Sequence, residues 1–214
     1  MFLKMTALRA TLTGLAVAVA ASMMPAPAAY AAAERWYDIS SMSWKEGRKP
    51  SKRRYMSDKS PIRKRMVRFD KQYSAGTIVI DTDERRLYFV TKRGRAMKYG
   101  VGVGRDGFEW NGTHKITRKA KWPSWTPPQE MIARVKREQG IKLKSFYKGG
   151  PKNKRVNPMG ARGLYIGSTI YRIHGTNQPW TIGKAMSSGC IRMANDDVSD
   201  LYERAKVGAK VIVR

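Results

Sequence analysis

The stretch Ser187-Ser188-Gly189-Cys190-Ile191-Arg192 contains the only cysteine among the 214 residues of the chain. It follows His174-Gly175-Thr176 closely, so that Cys190 lies sixteen positions after His174. A cysteine with a histidine nearby, in a segment rich in glycine and serine, is typical of a thiolate nucleophile and its base. The sequence therefore predicts nucleophilic chemistry at Cys190, with His174 taking the proton of the thiol.

The sequence offers few partner residues for any other role of this cysteine. A single thiol has no intramolecular disulfide partner, and the two histidines, His114 and His174, are few for a Cys–His metal site. We therefore expect no metal. His114 lies far from the motif and is expected to be an exposed strand or loop residue. The remaining alternative for Cys190 is a buried, chemically inert thiol, which is the commoner fate of a free cysteine.

From Ser74 onward the chain has the sequence pattern of β-strands. Residues 77–81 and 86–90 are rich in β-branched and aromatic side chains and are separated by a turn-prone segment, which predicts a hairpin. Five further strands are predicted, at residues 96–103, 112–117, 164–166, 170–174 and 210–213. The pattern by itself indicates a mainly β domain.

One or two short helices interrupt these strands. A helix is predicted near 128–139, and apolar residues at helical spacing predict another over 196–206. Asn195 or Asp196 would cap the second helix and Gly208 would end it.

Several motifs together resemble the catalytic domain of the L,D-transpeptidases, the YkuD family. The family motif is an HG pair, a spacer of the size seen here, and then S-x-G-C-[IV]-R/N. The resemblance extends to Asn157-Pro158-Met159-Gly160, Leu164-Tyr165-Ile166-Gly167 and Gly208-Ala209-Lys210-Val211-Ile212-Val213. It covers residues 74–214 and implies a β-sandwich or barrel-like catalytic domain.

The resemblance also implies roles for the residues around the thiol. Cys190 would be the nucleophile, His174 the general base and acid, and the backbone carbonyl of Gly175 the group that orients the imidazole. The amides of Gly189 and Cys190 would face the oxyanion, and Arg192 occupies the position of a family residue beside the site. Substrate-binding residues are expected at Ser187, Ser188, Trp180 and Tyr165. Many family members have histidine at the position of Ser188, whose hydroxyl does not titrate near neutral pH.

A protein of this family would act on a peptidoglycan tetrapeptide stem. The thiolate attacks the carbonyl of the third residue, usually diaminopimelate, and terminal D-Ala leaves. The thioester acyl-enzyme is then transferred to an amine of another stem or of an envelope protein, or to water. The resemblance implies that no cofactor is needed and that carbapenems block the enzyme.

Residues 1–31 predict a secretory signal peptide. Lys4 and Arg9 precede a short apolar stretch over 10–24, and Ala29-Tyr30-Ala31 supplies a cleavage site of small residues. The apolar stretch is shorter than the roughly 20 residues that a membrane span needs, which disfavours an uncleaved anchor. We therefore expect export to the periplasm or cell envelope, with no transmembrane segment in the mature chain.

The chain is strongly basic, with 43 Lys and Arg against 16 Asp and Glu and a net charge of +27. Residues 32–73 hold many of these cations and few aliphatic side chains, which predicts a basic linker, largely disordered or loosely docked, before the domain at 74–214. Nucleic acid is the usual partner of so basic a protein. An exported protein would instead meet anionic envelope polymers such as lipopolysaccharide and peptidoglycan, and these are the expected partners.

Two other functions remain open from the sequence. A cysteine peptidase or amidase of the wall would use the same side chains, although such families usually place the cysteine before the histidine. A non-catalytic protein that binds the wall or another polyanion would carry an inert Cys190. Alkylation of Cys190 separates these alternatives, because an activated thiol reacts quickly near neutral pH and a buried inert thiol reacts slowly.

Overall fold

The computed structural model describes residues 35–38, 43–48, 51, 57–104 and 110–214. The predicted signal peptide at 1–31 lies outside the described residues, as does part of the predicted linker. In the described portion of the chain, no helix has both the length and the apolar character needed to cross a membrane.

Within these ranges the chain forms thirteen β-strands and two α-helices, so the prediction of a mainly β domain with short helices is confirmed. The strands are β1 (Arg35–Asp38), β2 (Ser43–Glu46), β3 (Arg65–Arg68), β4 (Ile78–Asp81), β5 (Arg86–Lys92), β6 (Arg95–Gly100), β7 (Val103–Gly104), β8 (Gly112–Lys121), β9 (Arg162–Ile166), β10 (Arg172–His174), β11 (Ala185–Ser187), β12 (Ile191–Arg192) and β13 (Lys210–Val213). The helices are α1 (Gln129–Gln139) and α2 (Asn195–Arg204).

Nine of the described strands form one sheet in the order β12-β10-β9-β8-β13-β4-β5-β6-β3. At its centre β13 and β4 run parallel, with Val211 opposite Ile78. The side chains of β4 are buried on both faces of the sheet, because Ile78 and Ile80 pack in the main core and Val79 packs in a cluster on the other face. The core also includes apolar residues of α2, which covers one face of the sheet.

The two ends of this sheet meet and make it barrel-like. Gly102, which follows β6, forms an antiparallel bridge with Arg192 in β12. The N–H of Gly102 donates to the carbonyl of Arg192 at 2.9 Å, and the N–H of Arg192 donates to the carbonyl of Gly102 at 2.8 Å. β12 is one edge of the sheet, and β6 is next to the other edge. The bridge therefore closes the barrel at β12, and the parallel pair of β7 and β11 lies beside it.

Residues 125–147, which we call the α1 lobe, have a small core of their own. Val135 of α1 packs with Trp125, Leu143, Tyr147 and the neighbouring Met159. The helix ends at Gly140, whose φ of 68° is a left-handed conformation that glycine adopts without strain.

Residues 57–73, which we call the arm, are packed on the domain. β3 lies within the arm and pairs antiparallel with β6 as an edge strand of the main sheet. Val67, Phe69 and Tyr73 pack on the cluster around Val79, on the face of the sheet away from the main core. In this cluster the ring of Phe69 stacks on Tyr88 with 4.5 Å between the ring centroids. A few aromatic and β-branched side chains among the arginines are enough to cover an apolar face of the sheet.

The boundaries of α2 also differ from those predicted. Its N-cap residue is Ala194, without a side-chain capping hydrogen bond, and the helix ends at Arg204 rather than at Gly208. Asn195 is the first helical residue and directs its side chain to the backbone of two neighbouring loops instead.

Candidate active site

The two residues at the centre of the predicted site reach one cavity from adjacent strands. His174 is the last residue of β10, and Cys190 immediately precedes β12. β10 and β12 are parallel neighbours in which Ile173 lies opposite Ile191. His174 and Cys190 both line a cavity of about 120 Å³. Strand pairing thus joins the two halves of the motif.

The cavity lies between the α1 lobe and the strands that carry the motif. The α1 lobe contributes four lining residues, Trp125, Thr126, Pro128 and Met131. The other lining residues are Pro158, Met159, Ile170, Arg172, His174, Ser187, Ser188, Cys190 and Arg192. Ser187, Ser188 and Arg192 are therefore located where the sequence predicts them, at the cavity, while their roles stay predictions.

Two predicted substrate-binding residues do not line this cavity. Tyr165 alternates in β9 with the fully buried Leu164 and Ile166, so it points away from the core, and its ring lies 3.6 Å from the guanidinium carbon of Arg118. Trp180 lies in a short 3₁₀ turn at Pro179–Thr181. Its position in the sequence between the histidine and the cysteine does not bring its side chain to the cavity.

His174 is buried, and the backbone holds its ring. The Nδ1 atom lies 2.6 Å from the carbonyl oxygen of Gly175. Because a carbonyl can only accept a hydrogen bond, Nδ1 carries the proton, and Nε2 of the neutral ring is left as a proton acceptor. Burial, together with the charges of Arg192 and Arg172, lowers the pKa of His174 to about 3, although the backbone of Gly175 opposes part of this shift. The imidazole is therefore neutral at physiological pH.

Cys190 is a thiol rather than a thiolate in the resting site. Burial raises its pKa above the ordinary value, and the charges of Arg172 and Arg192, with a hydrogen bond from the Arg172 backbone, offset only part of that rise. The residue is nevertheless partly exposed, and it lines the cavity. The site thus holds an uncharged thiol and an uncharged base, an arrangement in which the proton moves as the sulfur attacks.

Two further hydrogen bonds fix the backbone around the thiol. The Ser187 hydroxyl donates to the carbonyl of Cys190 at 2.6 Å, and Nε1 of Trp110 donates to the carbonyl of Gly189 at 2.7 Å. Gly189 has a φ of 96°, which glycine adopts without strain. The Gly189 carbonyl and the Cys190 N–H belong to one planar peptide, so Trp110 also sets the direction of the Cys190 N–H.

The family model of YkuD, the L,D-transpeptidase catalytic domain, matches residues 75–213 of the chain. The chain belongs to the YkuD family. The match begins one residue after the predicted start of the domain at 74 and includes all of the predicted site residues. The arm, residues 57–73, precedes the residues that the family model matches.

Curated relatives of this YkuD domain carry matching names. "Probable L,D-transpeptidase YbiS" of Escherichia coli (strain K12) is 39% identical over 137 residues, which cover 63% of this chain and 43% of that protein. "Putative L,D-transpeptidase YkuD" of Bacillus subtilis (strain 168) is 45% identical over 64 residues, which cover 28% of this chain and 39% of that protein. The chain therefore matches less than half the length of these two relatives.

A solved structure from Brucella melitensis is also similar to this chain. It is described as a probable carnitine operon oxidoreductase caia and is 43% identical, with 73% of this chain and 96% of that chain covered and a TM-score of 0.47. That description belongs to the Brucella protein, whereas the membership of this chain in the YkuD family rests on the family model.

The YkuD site contains two residues that the sequence analysis does not single out, Arg172 and Trp110, and a third, Asn195, that it names only as a helix cap. Arg172 lines the cavity, and its position two residues before His174 in β10 places both on one face of the strand, which is a signal the sequence carries. Trp110 and Asn195 contact the site over long separations along the chain. No local pattern identifies such contacts in advance.

Proposed function

We propose that this YkuD domain is an L,D-transpeptidase in which Cys190 is the nucleophile and His174 is the general base and acid. The observation that carries the proposal is the convergence of the thiol and a backbone-oriented imidazole on one cavity. A thiol at neutral pH needs a base, and an imidazole whose Nδ1 is committed to a carbonyl presents Nε2 for that purpose.

The proposed substrate is the tetrapeptide stem of peptidoglycan. The sulfur of Cys190 attacks the carbonyl carbon of the third residue, usually diaminopimelate, while the thiol proton passes to Nε2 of His174. The bond to the nitrogen of terminal D-Ala then breaks, and His174 returns the proton to that nitrogen. D-Ala leaves as an amine, and a thioester remains on Cys190.

An amine completes the cycle. The amine of a second stem, or of an envelope protein, attacks the thioester carbonyl and gives a proton to His174 as the new C–N bond forms. The C–S bond breaks, and the proton returns to the sulfur of Cys190. Water in place of the amine gives hydrolysis of the thioester and release of a shortened stem.

Charged and polar groups around the cavity favour this reaction. The positive charges of Arg172 and Arg192 lower the pKa of both Cys190 and His174. They therefore stabilise a developing thiolate and disfavour a long-lived imidazolium. The amides of Cys190 and Gly189 are the proposed oxyanion donors, each contributing about 3 kcal/mol in comparable sites.

The proposed place of action is the cell envelope, where the stem peptides occur. A net charge of +27 attracts the anionic polymers of that compartment, and the attraction weakens as salt is added. The proposed partners are thus peptidoglycan stems, an envelope protein as acyl acceptor, and anionic envelope polymers, with no nucleic acid among them.

Intact-mass spectrometry tests the proposed chemistry. The mature protein is incubated with a carbapenem and, separately, with a disaccharide-tetrapeptide. We expect the wild type to gain a covalent carbapenem adduct and to release D-Ala from the tetrapeptide, and Cys190→Ala to do neither. His174→Ala should acylate at least about 100-fold more slowly, since general base catalysis contributes about 100- to 10,000-fold.

Folding of each variant is checked by circular dichroism and thermal unfolding. Turnover at the wild-type rate by Cys190→Ala would contradict the assignment of the nucleophile. A folded wild-type protein that forms no adduct and releases no D-Ala would favour the non-catalytic, polyanion-binding alternative.

A further inference from the structure

The side chain of Asn195 ties together two loops beside the active site. Its Oδ1 atom accepts a hydrogen bond from the backbone N–H of Ala161 at 2.9 Å and another from the N–H of Thr176 at 3.3 Å. Asn195 is only 3% exposed, so these bonds are shielded from water. One amide oxygen therefore sets the distance between the two loops.

The same two loops carry the backbone groups that hold the His174 ring. Gly175 precedes Thr176 and presents its carbonyl to Nδ1 at 2.6 Å. Met159, on the loop that leads to Ala161, lines the cavity with His174, and its backbone raises the pKa of the imidazole. Displacement of either loop would turn the ring and change the direction of Nε2.

The approach of Asn195 to these loops leaves no room for adjustment. A Cβ added at Gly160 or at Gly175 would lie 2.3 Å from the Oδ1 atom of Asn195. Only glycine at both positions lets the amide oxygen lie this close to the backbone of the two loops. The orientation of that amide is therefore important to the site.

Asp58 in the arm fixes this orientation. Its Oδ1 atom accepts a hydrogen bond from Nδ2 of Asn195 at 2.8 Å, and its backbone carbonyl accepts one from the N–H of Asp196 at 3.0 Å. Its other carboxylate oxygen pairs with Nζ of Lys154 at 2.5 Å. With Nδ2 committed to the carboxylate, Oδ1 of Asn195 must face the two loops.

We propose that Asp58 is a positioning residue for His174 and acts on it through Asn195. Asp58 lies in the arm, outside the 75–213 match to the YkuD model, so the arm completes the site of the family domain. The inference rests on the proposed function, since it assigns a task to the segment that precedes the catalytic domain.

The test compares three variants that share Lys154→Met, so that the charge partner of Asp58 is absent from all of them. Lys154→Met alone is the reference. Asp58→Asn in this background keeps an oxygen that accepts from Asn195, whereas Asp58→Ala does not. Ser57→Ala, one residue earlier in the arm, is the control for local disturbance.

The rate of carbapenem acylation is measured for each variant by intact mass. We expect Asp58→Ala to be about tenfold slower than the reference and Asp58→Asn to be within about twofold of it, because misplacing a catalytic group by about 1 Å can cost about 100-fold. Apparent binding of the carbapenem should change little, so the loss should appear in the maximal rate.

Nitrogen-15 NMR of His174 gives a second readout. In the reference the ring should show the Nδ1–H tautomer, and in Asp58→Ala a mixture of tautomers. A purely structural role for Asp58 would lower the melting temperature without changing the tautomer.

Two results would overturn the inference, namely a folded Asp58→Ala variant that acylates like the reference, or an Asp58→Asn variant as slow as Asp58→Ala. If Asp58→Ala does not fold, Asn195→Asp replaces it, because this variant keeps an acceptor oxygen for the two loops but replaces the donor to Asp58 with a negatively charged oxygen that the Asp58 carboxylate repels. It should be slowed about tenfold for the same reason, and a wild-type rate would overturn the inference. A wild-type protein that is not acylated refutes the proposed function instead.

Discussion

The proposed nucleophile and base are both uncharged at rest, and this decides how they respond to pH. Burial disfavours charge on either group, while Arg172 and Arg192 favour a negative sulfur and disfavour a positive imidazole. His174 therefore holds the transferred proton only briefly and passes it readily to the departing nitrogen. A permanent thiolate–imidazolium pair does not describe this site.

The rate of acylation should depend on pH accordingly. A base must be unprotonated to act, and the pKa of His174 is lowered to about 3, so the rate should not fall between about pH 8 and pH 5, where a histidine with the ordinary pKa of about 6.5 would become protonated. The measurement is the acylation rate with a carbapenem across this range. A loss of rate centred near pH 6.5 would contradict the lowered pKa.

Trp110 is expected to affect the reaction through a single hydrogen bond. Trp110→Phe removes the donor to Gly189 but keeps a ring that can stack on Tyr171, which lies 4.5 Å away in a nearly parallel plane. The Cys190 N–H then loses its fixed direction, and acylation should slow by about tenfold, part of the about 100-fold that a full oxyanion donor supplies. Stopped-flow acylation measures the effect, and an unchanged rate in the folded variant would exclude this role.

At the scale of the structural element, the α1 lobe both carries its own core and forms one wall of the cavity. Leu143→Ala should therefore lower the free energy of unfolding of the lobe by about 2–4 kcal/mol, because Leu143 is 5% exposed within that core. Phe146→Ala is the matched control, since Phe146 is 53% exposed and should cost little. Thermal unfolding and acylation rates are measured on both.

We expect Leu143→Ala to slow acylation as well, because the lobe core contacts the cavity wall through Trp125 and Met159. Equal stability of the Leu143→Ala and Phe146→Ala variants would show that the lobe core is not cooperative. A destabilised Leu143→Ala variant with a normal acylation rate would show that the stability of the lobe does not affect the reaction of Cys190.

The elements that the sequence predicts best are those with strong local patterns. The strands near 77–81, 86–90 and 210–213 have continuous β-branched runs, and the structure contains β4, β5 and β13 at these places. The capping of α2 is mispredicted because Asn195, a favourable capping residue by type, uses its side chain for contacts between loops instead. The identity of a residue does not reveal that competition.

For the whole molecule, local motifs locate the cavity and distant contacts complete it. His174, Gly175 and Cys190 lie in motifs that a sequence displays, and the structure brings these motifs together. Trp110 and Asp58 are far from the motif along the chain, and their contacts with Gly189 and Asn195 are visible only in the folded structure. In the arm, dense positive charge conceals the few apolar residues that attach it to the sheet.

The bridge between Gly102 and Arg192 has a consequence for how the molecule loses activity. Cys190 is two residues from this bridge, so the reactive sulfur lies at the seam of the barrel. The Gly102–Arg192 bridge has two main-chain hydrogen bonds between distant segments, whereas β4 and β13 pair over three residues, so we expect the seam to open at a smaller free energy than this central pair. We therefore expect that, as denaturant is added, the acylation rate falls before the far-UV circular dichroism of the barrel changes.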